Sequence, residues 1–168
     1  MRKKVEKTLF GLWAGELFAV VCFALLWLIY AQHFEWAEPY VTSWPSVYAF
    51  ALLEFILLQG SYYWFVKWKQ VRRGCFSHLP DRHLRLFHVF KRINLFLIAI
   101  GLLFLIYQWK VFSVDFYWFV FLYLFAILEY INYYHVRLSY QTIDEIKDFL
   151  RQRGFRRSKL ASEWKTRS

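Results

Sequence analysis

Three carboxylates stand where a carboxylate is expensive. Glu16, Glu54 and Glu129 each fall inside a long apolar stretch that holds no lysine, arginine or histidine. An ionised side chain at the middle of a bilayer is penalised by several kcal/mol on insertion scales, so each acid must be neutral, face other helices or touch water. Two acids sharing a dry site titrate as a coupled pair. Proton or ion handling is therefore the chemistry these residues offer. A helical rise of about 1.5 Å per residue puts Glu16 roughly 12 Å, Glu54 roughly 18 Å and Glu129 roughly 8 Å from the inner boundary. On that measure Glu16 and Glu54 meet near the middle if their helices lie together.

Asn132 and Tyr133 follow Glu129 by three and four residues, which places three hydrogen-bonding groups on one helical face. Asn94 lies at a similar depth on another stretch. Glu16, Glu54, Asn94, Glu129, Asn132 and Tyr133 together form the candidate intramembrane polar site. The competing interpretation is structural, because polar side chains between membrane helices often serve only as interhelical hydrogen bonds.

Four apolar stretches carry these groups, at about residues 8–30, 45–66, 93–109 and 116–134. A hydrocarbon core of about 30 Å needs around 20 helical residues, which three of them meet. The third is short and relies on Lys91 and Arg92 to snorkel at its inner boundary. Four Lys and Arg precede the first stretch, eight separate the second from the third, nine follow the fourth, and only Lys110 has the opposite parity. Short cytoplasmic loops carry this excess, so both termini are expected in the cytoplasm. Tyrosine and tryptophan concentrate at the stretch ends, where amphipathic rings anchor at the interface.

The composition fits one membrane domain: 168 residues, 59% hydrophobic and 24% aromatic. The fold class expected is all-α, a four-transmembrane-helix bundle with cytoplasmic amphipathic helical segments. A formal charge of +10 set at the membrane flanks points to anionic lipid headgroups rather than nucleic acid. Cys22 and Cys75 make no C-x-x-C pair, which argues against disulfide chemistry. The first stretch is too long for the apolar region of a cleaved signal peptide.

Pro80 opens a segment in which Leu84, Phe87 and Ile93 recur beside Leu86, Val89 and Phe90, with Arg82, Arg85, Lys91 and Arg92 between them. This pattern suits an amphipathic helix on the membrane surface, or one extending the third span inward. The basic tail, 135–168, carries a capping-box pattern at Thr142–Glu145 and a helix expected over about 142–153, stopped at Gly154. Gly11, Gly15 and Ala19 make a small-residue ridge, expected to allow close approach within the chain. The spacing of His78, His83 and His88 suits solvated positions rather than metal ligation. No nucleophile elbow, phosphate loop or zinc motif occurs, so no catalytic residue, cofactor or metal is expected.

The run from Glu129 to Tyr140, with Arg157–Ala161, resembles a group of small four-span membrane proteins of Gram-positive bacteria, labelled hypothetical or general stress protein. That resemblance implies a bacterial plasma membrane and carries no activity or site role. The sequence as a whole leads to a non-enzymatic bundle whose basic cytoplasmic face binds anionic lipid or a protein partner, with homo-oligomerisation open. The alternative is a small proton-coupled carrier built on the intramembrane glutamates.

Overall fold

The computed structural model describes residues 2–74 and 79–136, together with Ser158, Leu160 and Ser162. The tail helix expected over 142–153, Cys75 and His78 lie outside the described residues. Among the described residues five helices follow in order: α1 (Arg2–His33), a one-turn α2 (Glu38–Val41), α3 (Trp44–Arg72), α4 (Asp81–Val111) and α5 (Phe116–Tyr134). The protein is all-α, and α1, α3, α4 and α5 are long and apolar enough to cross a membrane.

Only α5 keeps the bounds read from sequence; the other three are longer. The segment after Pro80 is no separate surface helix: it forms the first turns of α4 and runs without a break into the span. At 32, 29 and 31 residues, α1, α3 and α4 measure about 44–48 Å, well beyond a hydrocarbon core of about 30 Å. Local signals set the far ends. The Ser43 side chain caps α3 by accepting from Ser46 N–H, with Pro45 in the first turn. At the same end of the bundle α4 stops at Phe112, whose left-handed backbone (φ 48°) turns the chain sharply into α5.

α3 is the hub. More than half of its apolar window is buried (56%), against 33% for α5, 11% for α4 and 6% for α1. α1 lies antiparallel along it, with Trp27 stacked on Phe50 at 4.1 Å and Trp13 on Trp68 at 5.5 Å between ring centroids. α5 turns a stripe of Phe119, Tyr123, Ala126, Tyr130 and Tyr134 inward, at the three-to-four-residue spacing of one helical face. α4 touches the rest along a narrow seam, Phe87, Asn94, Gly101 and Gln108. Those residues are seven apart, two turns each, which is the repeat of a left-handed crossing. Leu160 also joins the buried core, and Ser158 N–H donates to the His135 carbonyl.

Close approach falls on glycines other than those expected. A Cβ at Gly11 or Gly15 would meet nothing within 4 Å, because that ridge faces outward from α1. A Cβ at Gly60 would lie 2.2 Å from the Tyr133 ring, and one at Gly101 would lie 2.3 Å from the Tyr123 ring. Both rings are pinned by their hydroxyls, Tyr133 to Glu16 and Tyr123 to the Ile98 carbonyl. Gly60→Ala and Gly101→Ala should each destabilise by the ~1–3 kcal/mol of an overfilled core. Gly15→Ala should be neutral or stabilising through helix propensity. Melting curves of the detergent-solubilised protein, followed by size-exclusion chromatography, check this order; equal effects at all three positions would refute it.

Candidate functional site

The six polar residues singled out from the sequence occupy three places. The first gathers four of them between α1 and α5. Tyr133 donates its hydroxyl to the Glu16 carboxylate, across the Gly60 surface of α3. Glu129, one turn earlier on α5, lies near enough to act electrostatically on both Glu16 and Tyr133. Asn132 donates from Nδ2 to Glu129 Oε2 at 3.3 Å. Gly60 makes this possible, since any larger residue would hold the phenol away from Glu16.

Glu54 stands apart, so the expected meeting of Glu16 with Glu54 does not occur. Tyr133 touches both Gly60 and Glu16, which fixes Glu16 near the level of Gly60. Glu54 lies six residues back along α3, about 9 Å away at helical rise. The stacking of Trp27 on Phe50 sets this register and leaves Glu54 opposite the Phe23 level of α1. Its Oε1 is buried and has no hydrogen-bond partner.

Asn94 belongs to the third place, a clasp of α3, α4 and α5 that sequence reading did not foresee. Gln59 Nε2 donates to Asn94 Oδ1 at 3.1 Å, Asn94 Nδ2 returns to Gln59 Oε1 at 2.7 Å, and Tyr134 donates to the same Gln59 oxygen. All three side chains are sealed from solvent, with exposures of 0–4%. The signal available was the seven-residue seam on α4, which marks Asn94 as inward; Gln59 was overlooked because it lies five residues from Glu54, off that acid's helical face.

A further cluster at the far end went unforeseen because its acid sits in a short loop. The Asp115 carboxylate accepts from Ser43 and Ser113, from Gln108 Nε2 at 2.8 Å and from Ser46 Oγ at 3.4 Å. Ser113 Oγ also contacts Gln108 Oε1, so its single hydroxyl proton is shared between that oxygen and Asp115. These bonds tie the start of α3 to the α4–α5 turn. Burial pushes the Asp115 carboxyl up, but the bonds from Ser113, Ser43, its own backbone and Gln108 outweigh it and hold the group below the usual carboxylate range.

The chemistry within reach is hydrogen bonding and proton exchange among carboxyl, phenol and amide groups. Among the described residues no group of three His, Cys, Asp or Glu is placed to hold a metal ion. No protein-family model, curated protein or solved structure matches the chain.

A folded-state carboxyl held below its ordinary value of 3.8 stabilises fully above that pH. The contribution is lost as pH falls through the lower folded value. The wild-type melting temperature should therefore drop on acidification below about 3.8 more steeply than that of Asp115→Asn. Differential scanning fluorimetry from pH 7 to 2.5 checks this; parallel acid limbs for the two proteins would reject it.

Proposed function

We propose that the chain is a non-enzymatic multi-pass protein of the bacterial cytoplasmic membrane, with both ends in the cytoplasm, whose basic helical ends bind anionic lipid headgroups. The observation that carries this reading is the gathering of exposed cations at one end of the bundle. Lys3, Lys4 and Lys7 on α1, Lys69 and Arg72 on α3, and Arg82, Arg85 and Arg92 on α4 are all exposed. Contacts bring these helix ends together. The rings of Phe10 and Trp13 meet Trp68, and Tyr62 shares a hydrogen bond with His83 at 3.0 Å. Burial, then the charge of Lys91, pushes the His135 imidazole below its usual range, so the end of α5 lies against the same basic stretch. At the opposite end Lys110 is alone among the lysines and arginines of the described residues.

Length supports the same reading. The parts of α1, α3 and α4 that exceed the bilayer core are the parts that carry the cations. They reach the headgroup layer as rigid helix, so no ordering cost is added when a phosphate binds. Each cation near an anionic surface contributes ~1 kcal/mol, screened by salt. Quenching of tryptophan fluorescence by brominated lipids measures the preference. Phosphatidylglycerol should be favoured over phosphatidylcholine, and Arg82→Gln/Arg85→Gln should reduce that preference by about fivefold per charge. No preference in the wild type, or a cross-linked protein held by the same cations, would replace the lipid reading.

A second reading has its own observation, the buried and unpartnered Glu54 Oε1. Such an oxygen suits a proton-coupled carrier using Glu16, Glu54 and Glu129. In proteoliposomes carrying an imposed pH gradient, Glu54→Gln should then reduce proton flux at least tenfold; flux unchanged in all three Glu→Gln variants removes this reading.

A further inference from the structure

We infer that a cavity between α1 and α5, at the end opposite the cations, holds an acyl chain of an amine-headed zwitterionic phospholipid. The cavity encloses about 720 Å³, within the ~300–1,000 Å³ typical of small-ligand sites. It is lined by Phe50 and Leu53 of α3, Trp27 of α1, Phe125 of α5 and Val41 of α2. α1 and α5 part around it. They meet at Phe23 and Phe125, with ring centroids 6.3 Å apart, and again through Glu16 and Tyr133. The deep end is therefore closed toward the basic side.

The opening faces sideways. Leu26 on α1 and Phe121 on α5 line the cavity and remain 49% and 56% exposed. Both lie within membrane-crossing helices, so the molecules at this opening are lipids. The walls offer almost nothing but carbon, and a polar solute entering would lose its hydration without replacement. A lipid chain already sits in hydrocarbon and loses none. For the same reason the chain gains only close contact, not hydrophobic free energy, and the headgroup must decide which lipid is kept.

Charge at the mouth selects that headgroup. Glu35 and Glu38 are exposed and flank Trp36 and Ala37, which line the cavity. Residues 31–44 contain no lysine or arginine. Within this segment a net anionic headgroup would meet two carboxylates and no lysine or arginine, whereas a primary amine is drawn to both acids. Tyr30 and Tyr40, also on the lining, sit where phenols anchor at the interface, with hydroxyls suited to a phosphate. This site is separate from the cationic end and does not depend on its lipid preference.

Native mass spectrometry tests it on protein released from nanodiscs of equal phosphatidylethanolamine and phosphatidylglycerol. An Arg82→Gln/Arg85→Gln background weakens retention at the other end. In that background phosphatidylethanolamine should be retained about fivefold over phosphatidylglycerol, the equivalent of one interfacial charge. Leu26→Trp, which fills the mouth, should abolish the retained lipid, and Glu35→Lys/Glu38→Lys should reverse the preference. The charge reversal alters only exposed side chains, so it remains readable if Leu26→Trp folds poorly. Retained lipid that mirrors the bulk mixture, or a preference that survives charge reversal, would overturn the assignment.

Discussion

In hydrocarbon a polar group that lacks a protein partner has no water to turn to, and this requirement arranges the bundle. α3 and α5 are the least apolar of the four long helices and the most buried; α1 and α4 are the most apolar and the most exposed to lipid. The helices that carry Gln59, Ser61, Tyr130 and Tyr134 are thus drawn inward, and purely apolar faces are left outside. The Gln59–Asn94–Tyr134 clasp is the centre of this arrangement, because it joins three helices with side chains that seal one another completely. Removing Gln59 would strip Asn94 and Tyr134 of the amide that both bond, which costs more than the bonds themselves contribute.

The two ends of the bundle solve different problems. At the cationic end α1, α3 and α4 are longer than a bilayer core requires, and their cations stand on exposed turns. At the far end the connections are short, and the strain of turning is met by side chains. Phe112 adopts a left-handed backbone that costs a non-glycine residue about 1–2 kcal/mol. Its ring stacks on Phe116 at 5.1 Å, and the Asp115 network beside it fastens the turn to α3.

Much of the architecture was legible in the sequence, because bilayer thickness converts directly into residue counts. The four crossings and the bounds of α5 follow from length and apolarity. The partners of each polar residue did not follow. Glu16 pairs with Tyr133 rather than Glu54 because aromatic stacking between α1 and α3 fixes the register, and no spacing rule encodes which rings will stack. The glycines show the same gap. Gly11 and Gly15 have the spacing of a close-contact motif yet face outward, while Gly60 and Gly101 have no motif and bear the closest contacts. What decides is which helix becomes the hub, a property of all four together. Asp115 was passed over because a loop position hides its burial; its surrounding serines were the only local hint.

The hub also has a consequence for the order in which the chain is made. Of the four long helices α1 is made first and has little to hold, since its main partner, α3, has not yet been synthesised. It can wait, because nearly all of its apolar surface is content in lipid. α3 cannot wait as easily: once inserted it carries Gln59 and Ser61 into hydrocarbon. Asn94 reaches Gln59 only with α4, and Tyr134 completes the set only when α5 has arrived. Of the four long helices, α5 is therefore made last and is the one that closes the interior, onto an α1–α3 pair already stacked through Trp13 and Trp27.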